Sequence, residues 1–577
     1  MRQAVLMSLL VLIPALAIGA ANQTVLAPDV SSRSANAFPG DGRSGPPGSL
    51  AGARFTIGKV DTVGGTTYDN QFNGPSWRLL VNAAGHGIYV VWMYSADTTI
   101  YFPGRNMRLN YYDRALHKWV YSDSTSFMSR GLNVFGRRAG FGGIDVDTSG
   151  TPFISCHATL GGATRPWVDK GVTGNYSDTT LTTCMWPPIA VGQTGAVHIF
   201  PITSSYGLTY CRIAPDSWPH WSAPMSGIVP TPGFPSQNIA ASKVSNKVAL
   251  VWEVKQSHKA YQMYSTDGGL TWDSTSELVP PAAYGVDTLT GFGTQSLFPF
   301  YDRHDRLHVV ANLSPVVNDT ALPVPSQIWH YCPDDTPQWS RIHCAGCNPA
   351  NMKGVLDSNA TYACRPSMGE DQAGGLYVAW EQFDSLNVDT TTSYLRADIF
   401  MAQDSGDNGA SWQPSVRITG QGSWSCRFPS AIDYFDDDTF RVTYVIDQVA
   451  GLFTFTPSEG VVSRNPVVVQ RFSVPVGIAE GSRPIVPSVE ILAAPNPFGR
   501  ATTINYQLGR AGSVTLTVHD VAGKAVRRLA GGPQPAGLHS VSWNGRDDRG
   551  RALPTGVYFC TLDIGTKRIS RKVVMTE

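Results

Sequence analysis

The sequence predicts an all-β protein in two parts, a radial array of small antiparallel sheets followed by an Ig-like sandwich. Three observations predict it. Of 577 residues, 57 are Gly and 40 Pro, and only 15% are charged, against about 25% in typical soluble domains; many short strands joined by many turns give that mixture. A unit of short strand, Gly- or Asp-containing turn and second apolar strand recurs along most of the chain. The last ninety or so residues carry seven further short strand patterns, packed more closely.

In chain order, Arg2 supplies a positive end, Ala4 to Ile18 an apolar run and Gly19-Ala20-Ala21 small residues for cleavage, so 1–21 reads as a secretory signal peptide. The run is short for a membrane span, and no other stretch is apolar enough to cross a bilayer. Residues 22–50, rich in Ala, Ser, Gly and Pro, read as a flexible leader. The recurring unit occupies 51–470. Its second strands are Ile88–Trp92, Pro152–Cys156, Val197–Pro201, Val248–Trp252, Leu307–Ala311, Leu376–Trp380 and Phe440–Tyr444. Each is apolar on both faces, as befits a sheet stacked between neighbouring sheets. Pro366–Glu370, Leu376–Trp380, Ala397–Met401 and Ser415–Thr419 show the full four-strand order. Four antiparallel strands repeated radially make a β-propeller. Seven units favour seven blades, with six as the alternative.

Two turns share one signature. Ser265, Asp267, Gly269 and Trp272 recur in register as Ser405, Asp407, Gly409 and Trp412. The Asp can accept turn N–H groups, the Gly permits positive φ, and the Trp packs the turn onto a sheet. Worn copies end at Trp221 and Trp339. The signature resembles the Asp-box of the sialidase (neuraminidase) superfamily of β-propellers. That resemblance implies the architecture and assigns these eight residues to structure.

Residues 471–488, with Pro475, Pro484 and Pro487, read as a linker. Strands are expected at 489–493, 502–508, 514–519, 525–529, 538–543, 556–562 and 569–575, an Ig-like sandwich over 489–577. Pro495-Asn-Pro-Phe498, Val518 to Lys524, Trp543 to Gly550 and Thr555 to Phe559 resemble the Ig-like domain of the flagellar hook-capping protein. Similar C-terminal modules include sorting signals of the type IX secretion route. The resemblance implies a role in export or surface attachment, with export machinery as a partner.

Blade order places the loop leading into strand one and the loop between strands two and three on the face opposite the Asp-boxes. A propeller pocket would lie there, near the axis. Arg137, Arg138, Arg365 and Arg427 stand where first strands begin, Glu253 and Glu381 each follow the Trp that ends a second strand, and Asp447 has a similar position in the last unit. Arginine forks bind carboxylates, and carboxylates can serve as acid or base at a glycosidic bond. These seven residues form the candidate pocket. No catalytic residue is transferred from the sialidases, because neither their Arg-Ile-Pro element nor an assignable Tyr nucleophile is found. Asp436–Asp438 reads as an acidic hairpin turn rather than a calcium loop, and His157 and His198 as packed or surface histidines. Nine Cys in an exported chain suggest some disulfides, with Cys344 and Cys347 as a local staple.

Zero net charge gives no reason to invoke nucleic acid or an anionic membrane. No cofactor or metal is implied. The expectation is an exported bacterial protein, secreted or held at the cell surface, that binds an extracellular glycan or protein through one propeller face. The alternative is a glycoside hydrolase acting on extracellular glycans.

Overall fold

The computed structural model describes residues 57–576 except 73–74, 100, 161–162, 178–180, 182, 229–234, 255, 282–288, 294–295, 318–319, 347–350, 359, 421, 455, 474–490, 495–497, 509–511, 535–536 and 566. The expected signal peptide, the leader and most of the linker lie outside the described residues.

The described residues up to Ser473 form seven antiparallel sheets. Taken by their first three strands, the first sheet is Leu80–Ala83, Gly87–Tyr94 and Asn106–Asp113, and the second Ile144–Val146, Pro152–Leu160 and Ala163–Lys170. The third is Ile189–Val191, Val197–Ile199 and Leu208–Ile213, and the fourth Pro235–Ala241, Val248–Val254 and Lys259–Ser265. The fifth is Phe298–Tyr301, Leu307–Val317 and Ser326–Tyr331, and the sixth Ala363–Glu370, Leu376–Val388 and Leu395–Gln403. The seventh is Ser425–Ala431, Thr439–Asp447 and Asn465–Ser473. All seven apolar runs singled out in the sequence begin within second strands. First strands of successive sheets lie side by side, so the sheets follow one another around an axis as in a propeller.

The ring closes through a strand that the sequence pattern did not reveal. Lys59–Thr66 pairs antiparallel with Asn465–Ser473, from Lys59 opposite Arg471 to Thr66 opposite Asn465. The N-terminal end of the described chain thus supplies the outermost strand of the last sheet, and Arg471 Nε meets Asp61 at 3.1 Å. This pairing also moves the expected linker boundary, because 471–473 belong to a strand. Seam hydrogen bonds repeat one device. Ser367 Oγ accepts from Ala431 N and Ser430 Oγ from Leu79 N, each at 2.9 Å, joining the sixth sheet to the seventh and the seventh to the first.

The two signature turns dock onto the preceding sheet in the same way. In the first, Asp267 accepts from Leu270 N, Thr271 N and Thr271 Oγ1, and Ser265 Oγ accepts from Gly269 N. Trp272 meets the ring of Tyr210 edge-on at 4.7 Å, and Tyr210 Oη is 2.7 Å from His198 Nδ1. In the second, Trp412 meets His330 edge-on at 5.5 Å, and His330 Nε2 is 2.8 Å from His308 Nδ1. Tyr210 and His330 both stand on third strands, His198 and His308 on second strands. Burial depresses His198 to about 3 and holds His330 well below the usual imidazole range. Both are therefore packed, neutral groups.

Beyond the propeller, Ile491–Ala494, Thr502–Leu508 and Gly537–Trp543 form one sheet. Ala525–Gln534, Gly512–His519, Gly556–Ile564 and Lys567–Met575 form another. Their core holds Phe498, Tyr506, Leu516, Trp543 and Cys560. All seven expected strands are present. Eight of the nine cysteines are described, and no disulfide joins any two of them. The expected disulfides are therefore not seen among these eight, and the expected staple of Cys344 and Cys347 is not placed, since Cys347 lies outside the described residues. These cysteines sit mostly on strands inside the sheet stack, where they fill space as small apolar side chains.

Candidate functional site

The candidate residues do not form one pocket. Arg365, Glu381 and Arg427 do come together, but inside the protein. The first strands that carry the two arginines share an irregularity. The register slips between Cys364 and Ser367 in the sixth sheet and between Arg427 and Ser430 in the seventh. In each, the residue before proline has positive φ, 55° for Arg365 and 58° for Phe428. Such bulges re-aim side chains, and here they turn both guanidiniums onto Glu381, which follows buried Trp380 on the second strand of the sixth sheet.

Glu381 pairs with Arg365 Nη1 and accepts from Phe428 N at 2.7 Å and from Arg427 Nε and Nη2 at 3.3 Å. Arg427 Nη1 also donates to Asp357 Oδ2 at 2.5 Å. Arg365, Glu381 and Arg427 are each no more than 1% exposed. Burial alone would push Glu381 up, but the two guanidiniums and the Phe428 N–H hold it at about 2. Asp357 and Glu381 likewise overcome burial to raise Arg427 above its usual range. Phe428 lies under both cations, 4.6 Å from Arg365 and 5.1 Å from Arg427. The arrangement is a neutralised buried network, with no group left facing solvent.

Two segments lie over it. The described residues of 67–79, namely 67–72 and 75–79, lie between the outermost strand of the seventh sheet and the first strand of the first sheet. On the way Phe72 packs edge-on against Phe428 at 5.8 Å, and Ser76 Oγ donates to Arg365 O at 2.9 Å. Asn238 Nδ2 of the fourth sheet donates to Ser76 O at 2.9 Å, so this segment reaches across the axis. The hollow left beside Trp77, Arg78, Ile189 and Phe298 has room for about one water molecule. The second segment, the described residues of 448–464, is tied down by Asp69, which accepts from Phe453 N at 2.7 Å and Thr454 N at 3.1 Å. It is tied again by Glu459, which accepts from Ser358 N at 3.0 Å.

Asp447 belongs to this covered region. Burial and the neighbouring Asp69 keep its carboxyl well above the usual range, and burial raises Asp69 to about 6. Glu253 is buried in the fourth sheet, opposite Ser236 and Ala260, away from the others. Arg137 and Arg138 are exposed and lie before the second sheet. The Arg137 guanidinium sits 4.5 Å above the Trp167 ring, and Arg138 donates to Tyr101 O at 3.2 Å and Phe102 O at 3.4 Å. The acidic turn is engaged too: Asp436 accepts from Arg114 at 2.7 Å and Asp437 from Arg441. Sequence reasoning missed Asp69, Asp357 and Arg105. Each lies outside the repeat pattern or in a loop, where no periodicity marks it.

Residues 498–564 match the FlgD Ig-like domain family. No curated protein matches the chain. Among solved structures, the polysaccharide lyase Uly1 is similar at 10% identity and a TM-score of 0.38, over 72% of this chain and 99% of that one. A NanB structure is similar at 11% identity and a TM-score of 0.33, over 72% and 70%. A six-bladed fungal lectin of Aleuria aurantia is similar at 13% identity and a TM-score of 0.30, over 60% and 96%. These likenesses are distant, and the architecture rests on the sheets themselves.

Proposed function

We propose that the protein is exported and binds glycans outside the cell through the face that carries the long interstrand loops, with the C-terminal Ig-like module serving export or attachment. One observation carries the choice of binding over hydrolysis. The carboxylate best placed to serve a sialidase-like reaction, Glu381, is sealed beneath 67–79 and saturated by Arg365, Arg427 and the Phe428 N–H. Any catalytic carboxylate needs access to its substrate, and a general acid also needs a pKa near its working pH; Glu381, sealed and held at about 2, has neither. On the loop side, by contrast, Tyr101 is 78% exposed, and an open aromatic face is the common platform for a sugar ring. Binding of the full-length protein to a panel of immobilised glycans tests the reading. Retention of at least one glycan class above a propeller-free control is expected, and retention of none removes the proposal.

The hydrolase alternative has one observation of its own. Asp69 and Asp447 form a buried carboxyl pair with raised pKa values beside Arg427, the pattern of a carboxylic acid kept protonated near neutrality. That reading requires 67–79 and 448–464 to lift away.

A further inference from the structure

We propose that Arg105, Arg137 and Arg138 form a receptor for the carboxylate or sulfate group of an acidic polysaccharide, at the loop-side junction of the first and second sheets. The inference rests on the glycan-binding reading and names the ligand class.

Three guanidiniums gather around one short strand pairing. Ala139 lies opposite Ala158 and Gly140 opposite His157, and Arg137 and Arg138 lead directly into that strand. Arg105 is buried against it, donating from Nε to Ala139 O at 3.2 Å and from Nη1 to Tyr68 Oη at 3.1 Å. It also stacks 5.0 Å from Phe141 and 5.3 Å from Tyr68. A Cβ on Gly140 would stand 2.8 Å from Arg105 Nε, so glycine keeps room for the guanidinium. Arg138 is held by the two carbonyls of Tyr101 and Phe102, and Phe102 takes φ of 40° to present them. That backbone region is costly for an aromatic residue.

Among the described residues, none of the three forms an ion pair. Carbonyls and ring faces orient these cations without cancelling their charge. Two carboxylates lie nearby without pairing with the group. Asp97 accepts from Gly104 N and Ser95 Oγ, and Asp169 is buried near the 172–175 turn, its carboxyl raised to about 6 chiefly by burial. The summed field shows on the neighbouring imidazole: burial, then Arg105 and Arg138, hold His157 well below its usual range. Clustered, pre-oriented guanidiniums that outnumber the nearby carboxylates Asp97 and Asp169, and pair with neither, match a planar or tetrahedral oxyanion. Tyr101, exposed beside them, offers the ring face on which the attached sugar would lie.

The test is equilibrium binding of the full-length protein to alginate, dextran sulfate and neutral dextran, at near-physiological salt. Arg137→Gln/Arg138→Gln, both exposed, is the main variant and Arg105→Gln the second. Residues 489–577 hold twelve Lys and Arg against six Asp and Glu. The readout is therefore the difference between variants of the same chain. Preference for alginate or dextran sulfate over dextran is expected, with affinity falling about ten-fold in the double variant, the loss of a single charged hydrogen bond. Alginate and dextran sulfate separate carboxylate from sulfate as the favoured group. A double variant within about two-fold of the parent, or equal binding of neutral dextran, overturns the receptor. In the latter case glycan binding stands; retention of no glycan fells both readings.

Discussion

Gly269 and Gly409 show what a single atom costs. A Cβ on Gly269 would lie 1.7 Å from Tyr210 Oη, and one on Gly409 would lie 2.5 Å from the His330 ring. Both glycines also take positive φ, 78° and 85°. Alanine would be strained by its own backbone and would push the turn off the preceding sheet. Gly269→Ala and Gly409→Ala should each lower stability by about 1–3 kcal/mol, read from denaturant unfolding; an unchanged midpoint would mean that the turns do not lock neighbouring sheets. The sequence signature assigns these glycines to structure. The sequence placed Arg365 and Arg427 on one face but could not tell an open pocket from a sealed one. That difference depends on Asp357, Phe72 and Ser76, three residues in segments without strand periodicity. The shared Cys-Arg pairs, Cys364-Arg365 and Cys426-Arg427, also concealed an offset. With the following prolines in register, Arg365 corresponds to Phe428, and Arg427 falls one residue earlier.

At the level of elements, the two docked turns predict how the propeller responds to acid. His198 is held at about 3 and His330 well below the usual range when folded, while an unfolded histidine titrates near 6.5. Below about pH 6.5 the unfolded chain binds protons that the folded one refuses. The stability present above that pH is therefore lost as pH falls towards 3. Burial acts oppositely on Glu370, raised to about 8, and on Asp398 and Asp404, raised to about 6. Their contribution is full below the unfolded carboxylate range and is lost as pH rises through those values. His198→Gln isolates one histidine. Between pH 7 and pH 5 its stability should fall about 2 kcal/mol less than that of the parent, by denaturant titration at both values. Equal falls would mean that His198 is solvated in the folded protein. The strand order within each sheet was legible because alternation and turn residues repeat. The pairing of His198 with Tyr210 and of His308 with His330 was not, since partners on adjacent strands leave no common spacing in the sequence.

On the scale of the whole molecule, repetition explains why so much of the fold could be read and closure explains what could not. Seven apolar second strands and seven C-terminal strands declared themselves locally. Lys59–Thr66 did not, because its place is set by a partner some four hundred residues away, and its Gly64 and Gly65 look like turn residues. Both glycines are needed for close packing: a Cβ on Gly64 would fall 2.2 Å from the Trp92 ring and one on Gly65 2.3 Å from Phe127. The same N-terminal stretch goes on to cover the Arg365–Glu381–Arg427 network, so ring closure and the sealing of the expected pocket are one feature. The central claim is that this network holds the sixth and seventh sheets together and does no chemistry. It is tested most directly by assaying the full-length protein and Glu381→Gln against fluorogenic glycosides, sialosides included, while measuring unfolding of both. The account predicts no turnover by either protein and a stability loss of about 3–5 kcal/mol in the variant, whose two arginines lose a buried counter-charge. Turnover by the parent that vanishes in a variant of unchanged stability would contradict it and make Glu381 a catalytic residue.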